Sequence, residues 1–118
     1  MLAEIINKYE NFSDALISEI IYRVFENSKS VELVVSCMNS LNDYKFETIK
    51  LTFMDIVSIR FNENANQSST LINSALLVND DGIIIADFFP LIYAGGNLKE
   101  NENSDFKIKC RKLSYAKI

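Results

Sequence analysis

Residues 15–38, ALISEIIYRVFENSKSVELVVSCM, decide the fold. In the second half of this stretch Val31, Leu33, Val35 and Cys37 alternate with Glu32, Val34, Ser36 and Met38, the period of two that lays one face of a strand on a core. The first half has two readings. Leu16, Ile17, Ile20, Ile21 and Val24 fit an amphipathic helix that Ser13 or Asp14 would cap. Leu16, Ile20, Tyr22 and Val24 also fit one face of a strand, and β-branched and aromatic side chains are abundant across 15–25. Strand is the better reading, because Glu26-Asn27-Ser28-Lys29-Ser30 is a polar connection of hairpin length that runs straight into the strand at 31–38.

Upstream, Leu2, Ile5, Ile6 and Tyr9 recur with the spacing of one helical face, which predicts a short helix over residues 2–10. Downstream, 39–43 reads as a turn. Glu47, Ile49, Leu51 and Phe53 then oppose Phe46, Thr48, Lys50 and Thr52 in another strand, and 54–61 continues extended or bends. The Asn- and Ser-rich stretch 62–70 reads as a mobile loop. Apolar runs at 71–78 and 83–89 flank Asn79-Asp80-Asp81-Gly82, and an Asp-Gly step between two such runs is a strong hairpin signal. Pro90 ends that strand, and 95–104 reads as a second polar loop. In a last strand Phe106, Ile108 and Cys110 alternate with Lys107, Lys109 and Arg111.

Six extended segments behind one short helix predict a mainly β fold, α+β at the margin. The expected architecture is an antiparallel sheet curled as a sandwich or partly open barrel with a short N-terminal helix, in one domain spanning 1–118. No helical crossover of ten or more residues lies between the strands, so parallel βαβ units are not expected.

Composition narrows the chemistry. The 118 residues are 48% hydrophobic and 24% charged with a formal net charge of −4, values that predict folding without a partner. Charged residues interrupt every apolar stretch before the roughly 18–20 residues that a membrane-spanning helix needs. Met1 to Glu10 carry no secretory pattern, and the expected location is cytoplasmic. Thirteen Asn, fifteen Ile and nine Lys against three Arg suggest an AT-rich bacterial genome.

The chain has no histidine, which excludes Ser-His-Asp and Cys-His nucleophiles and His-ligated zinc. Two cysteines are too few for a disulfide scaffold or a four-cysteine zinc site. The acidic balance argues against nucleic acid and anionic membranes as partners. No cofactor and no metal ligand set is expected.

Asp14, Asp55 and Asp87 sit among apolar neighbours. Each reads best as an acceptor of backbone N–H bonds at a strand end or turn. The alternative is a carboxylate cluster for a divalent cation or acid–base work. Cys37 and Cys110 fall on apolar strand phases and read as small core residues, with a reactive thiol beside Lys109 and Arg111 as the alternative. Gly95-Gly96 lacks the spacing of a phosphate loop. The basic face of Lys107, Lys109, Arg111 and Lys112 reads as a solvated edge strand, and an anion site is the alternative. Glu63, Asp80, Asp81, Glu100, Glu102 and Asp105 all lie in predicted loops. Gathered at one end of the sheet they would form a negative patch for a basic partner; scattered, they would be ordinary solubilising charges.

The opening Phe12-Ser13-Asp14-Ala15-Leu16-Ile17, the strand at 31–38, Ile49-Lys50-Leu51-Thr52-Phe53 and the late Phe106-Lys107-Ile108-Lys109-Cys110 together resemble the layout of small bacterial immunity proteins, the antidotes of polymorphic toxin systems. Ser13 departs from the aromatic or histidine usual before the opening aspartate. The resemblance implies stoichiometric blocking of a toxin domain without catalysis. The expected function is therefore a non-catalytic protein-binding module, monomer or homodimer, whose partner is a protein such as a basic toxin domain. The alternative is a β-domain that binds a small ligand or a divalent cation.

Overall fold

A computed structural model describes residues 2–66 and 68–118. The elements run α1 (Leu2–Tyr9), β1 (Ala15–Val24), β2 (Lys29–Asn39), β3 (Lys45–Phe61), β4 (Leu71–Ile72), β5 (Leu76–Asp80), β6 (Ile83–Asp87), β7 (Leu91–Ile92), a 3-10 turn (Ala94–Gly96), β8 (Leu98–Lys99) and β9 (Phe106–Lys117). Seven strands form one antiparallel sheet in the order β4-β1-β2-β3-β9-β6-β5, curled into a half-barrel, while β7 and β8 pair separately. The fold is mainly β with a short N-terminal helix, as the periodicities predict.

The curl has local causes. β3 pairs with β2 up to Met54 and with β9 through Phe61, so it passes through both halves of the half-barrel. At the bend Asp55 takes a positive φ of 55°, and Val57 is an extra residue in the ladder to β9. A left-handed residue and a bulge in close succession turn the strand sharply, and aspartate tolerates the left-handed region better than most side chains. β9 bends with it, for its buried side chains shift phase from Phe106, Ile108 and Cys110 to Leu113.

The concave side holds the core. Val31, Leu33, Val35 and Cys37 of β2 join Ile49, Leu51 and Phe53 of β3, and Phe106, Ile108 and Cys110 of β9. α1 closes this side against β2, β5 and β9, burying Ile5 and Tyr9. Its last carbonyls are satisfied from the β2–β3 turn, where the Ser40 N–H donates to Lys8 O (2.7 Å) and Ser40 Oγ to Asn7 O (2.8 Å). The turn between β5 and β6 is a two-residue loop in which Asp81 and Gly82 have φ of 52° and 87°, the positive pair that a type I′ hairpin requires.

Four expectations need correction. The run 71–78 is two strands: β4 pairs with β1 and β5 with β6, separated where the Ala75 N–H is drawn to Asn11 O (2.6 Å). The loop 95–104 belongs to a small flap made by β7, the 3-10 turn and β8. β9 is not an edge strand, because β3 and β6 flank it. Finally, β1 is a strand, but Leu16 does not share a face with Ile20, Tyr22 and Val24. A bulge at Ser18 shifts the register, so Ala15 and Ile17 are the buried residues before it, while after it Ile20, Tyr22 and Val24 take the phase opposite Leu33, Val31 and Lys29, with Tyr22 and Val24 exposed toward the end of the strand.

Candidate functional site

Of the three aspartates expected to accept backbone N–H bonds, Asp87 does so, and no such bond is made by Asp14 or Asp55 among the described residues. Asp87, fully buried at the end of β6, accepts the Phe89 N–H on Oδ1 (3.0 Å) and the Asn101 N–H on Oδ2 (2.8 Å). Asp14 is exposed in the turn before β1, and Asp55 lies at the bend of β3 with Lys112 Nζ 3.8 Å from its Oδ2. The three aspartates therefore sit at three different places in the fold. No group of three acidic, cysteine or histidine residues among the described residues could hold a metal ion. Both cysteines are buried free thiols. Burial pushes Cys37 up to about 12, helped by the Glu47 charge, and Cys110 up to about 11. Neither thiol provides the exposed, electropositive thiolate that nucleophilic chemistry requires.

One buried carboxylate escapes the sequence reading. Glu47 lies on the inward phase of β3 and accepts a hydrogen bond from the Tyr9 hydroxyl (2.8 Å), while Lys117 Nζ stands 3.3 Å from its other oxygen. The Tyr9 bond is the largest cause holding its pKa below the usual carboxylate range, with Asn39 and Lys117 adding to it against the opposing effect of burial. Beside it Lys8 Nζ donates to Tyr115 Oη (2.6 Å), which donates to Glu4 Oε1 (3.0 Å). This network fastens α1 to β3 and β9. The signal was a glutamate in register with Ile49, Leu51 and Phe53.

A depressed carboxylate stabilises the fold above its unfolded pKa and loses that contribution as pH falls through its lower folded value. Glu47→Gln is thus expected to lower the melting temperature by a few degrees at neutral pH, with the gap to the parent closing below the ordinary carboxylate range. Thermal melts followed by circular dichroism between neutral and acid pH check this; a gap independent of pH would sink it.

The six acidic loop residues divide into three settings. The segments that carry Glu63, Glu102 and Asp105 come together, because the 62–70 loop is fastened to the segment before β9. The Asn62 N–H donates to Asp105 O (2.8 Å), Asn62 Nδ2 to Asp105 Oδ1 (3.4 Å), and Arg60 Nη1 to Glu102 O (3.3 Å). Glu63 Oε1 in turn accepts the Ser69 N–H (2.7 Å), so hydrogen bonds order much of the stretch read as a mobile loop; Gln67 lies outside the described residues. Phe61 is exposed at this end and packs edge-on against the buried Phe106, ring centroids 4.8 Å apart.

Asp80 and Asp81 lie at the opposite end of β6, beside the Cys110 part of β9. Glu100 is neutralised where it stands: Lys107 Nζ lies 2.8 Å and Lys109 Nζ 3.2 Å from its Oε2, and those bonds draw its pKa down. The basic face read as an edge is therefore split. Lys107 and Lys109 hold the loop that follows the flap, while Arg111 and Lys112 lie at the bend.

Two open grooves meet at that bend. One, of about 560 Å³, runs between the β1–β2 turn and the residues Asp55, Ile56 and Arg111. The second, of about 340 Å³, is lined by Arg23, Lys29, Glu32 and Lys112 and shares Phe25 and Asp55 with the first. Arg23 Nη1 holds Glu32 Oε1 at 2.7 Å and keeps that carboxyl low. Sequence reasoning did not bring these residues together, because the bend that does so is tertiary. No helix among the described residues is long and apolar enough to cross a membrane. No family model matches the chain, and neither a curated protein nor a solved structure matches it.

Proposed function

We propose that this protein is a non-catalytic binding module of the immunity-protein kind, which covers a basic surface of a toxin domain with the end of its half-barrel that carries Glu63, Glu102 and Asp105. The observation that supports this reading is the fastening of the 62–70 loop to the segment before β9. One backbone and two side-chain hydrogen bonds hold together the segments that carry Glu63, Glu102 and Asp105, next to the exposed Phe61 at the end of β3. Ordered acidic segments beside an exposed aromatic side chain carry the charge that favours fast association with a basic partner. The buried, protonated thiols and the fully engaged Asp87 fit a binding role better than a catalytic one. On this reading the protein acts in the cytoplasm and has no nucleic-acid partner.

The test is co-expression with the product of the neighbouring gene in the native genome. The expected result is a stoichiometric complex that protects the cell from that product's toxicity. Glu63→Lys, Glu102→Lys and Asp105→Lys combined are expected to weaken it by about a hundredfold and to abolish its salt dependence. A complex indifferent to the triple substitution, or no complex, would overturn the proposal.

A further inference from the structure

The outer edge of β1 is open over most of its length. β4 pairs only with Ala15 and Leu16, and the Ile17 N–H reaches Thr70 O (2.9 Å). From Ser18 to Val24 no described residue pairs with this side of the strand. The Phe25 N–H donates to Ser28 O (2.8 Å) at the β1–β2 turn, which sets the alternation along the hairpin. Arg23 and Ile21 thus direct their backbone groups at β2, and Val24, Tyr22 and Ile20 direct theirs outward. Edges of this kind are normally blunted by proline, charged side chains (lysine above all), bulges or brevity. Ser18–Val24 has no proline or lysine, its bulge is confined to the Ser18 end, its two charges Glu19 and Arg23 are of opposite sign, and Tyr22, Val24 and the following Phe25 are 47%, 65% and 54% exposed.

We propose that this edge is a homodimer interface, in which β1 pairs antiparallel with β1 of a second copy about a two-fold axis at Ile21. Two independent features lead to this register. The first is length: Ile21 is the midpoint of the free segment, so Ser18 meets Val24 of the other copy and the pairing ends where β4 begins. The outward backbone groups of Ile20 then face those of Tyr22 in the other copy, and both can bond.

The second feature is charge. Glu19 and Arg23 lie on one face of β1, and this register sets each opposite the other in both halves of the interface. A shift of two residues would place these charges opposite apolar side chains. A shift of four would oppose Arg23 to Arg23, or Glu19 to Glu19. A two-fold interface must be complementary to itself, and Ser18–Val24 is so in this one register. Arg23 remains able to hold Glu32, because a guanidinium has donors enough for two carboxylates.

The test is sedimentation of the whole chain across micromolar to millimolar concentrations. Twice the 13.5 kDa chain mass is expected at the upper end. Glu19→Arg and Arg23→Glu are each expected to weaken the dimer about tenfold or more, because each opposes like charges. Mixed in equal amounts they are expected to form a heterodimer, in which every pair is again complementary. Tyr22→Pro removes an N–H that the lone chain leaves in water, so this variant is expected to fold and remain a monomer. A parent chain that stays monomeric, single variants that dimerise like the parent, a mixture that stays monomeric, or a dimeric Tyr22→Pro would each overturn the proposal.

Discussion

Leu33→Asp is expected to abolish the folded state at 25 °C. Leu33 is fully buried at the centre of β2, paired with Ile20 of β1 on one side and Leu51 of β3 on the other. A carboxylate there would stand unpaired in the apolar core. The cost is about 5 kcal/mol or more, against the roughly 5–15 kcal/mol that is the whole stability of a typical domain. Leu33→Ala removes volume without adding charge and is expected to cost about 2–5 kcal/mol. Leu33→Met, which keeps the volume, should cost less than about 1.5 kcal/mol. The chain has no tryptophan, so far-UV circular dichroism in urea is the suitable readout. Melting of the aspartate variant like the parent would show that the inward face of β2 has been misplaced.

The second large effect is expected at Asp87. Its two oxygens receive the N–H groups of Phe89 and Asn101, and Asn101 Nδ2 donates back to Phe89 O (3.0 Å) while Lys107 Nζ donates to Asn101 O (3.0 Å). One buried side chain thus joins the end of β6 to the segment that follows the flap. Asp87→Ala leaves two amides without acceptors and is expected to cost about 3–5 kcal/mol, since each group stripped of its partner costs about 1–3 kcal/mol. Asp87→Asn retains one acceptor and should lose less. Urea midpoints measure the loss, and hydrogen exchange should accelerate at Phe89 and Asn101 before the β2 amides respond. An alanine variant as stable as the parent would mean that water replaces both bonds.

The same aspartate marks how far the sequence could be read. Its place between Ala86 and Phe88 pointed to backbone acceptance, and the structure has it in that role. The donors could not be foreseen, because Asn101 is fourteen residues away and arrives only when the flap folds back. Glu47 is similar: its inward phase was visible, but the Tyr9 hydroxyl that satisfies it comes from α1, thirty-eight residues earlier. The acidic loop residues were legible as loop residues and not as a group. Glu63 and Asp105 become neighbours through the end-to-end pairing of β3 with β9, whereas Glu100 is drawn under Lys107 and Lys109.

Periodicity and turn chemistry act over a few residues, and so the inward faces of β2 and β3, the Asp81-Gly82 hairpin and the short helix were legible in the chain alone. Those features depend on alternation, on a φ that glycine allows, and on a 3.6-residue repeat. Which strands lie side by side emerged with the assembled sheet. It set β9 between β3 and β6, split 71–78 between two partners, bent β3 at Asp55 and, among the described residues, placed no strand on the outer side of β1 from Ser18 to Val24. Strand pairing is settled by closing long loops around one shared core. The free energy of that choice resides in contacts far apart in sequence, where no local pattern records it.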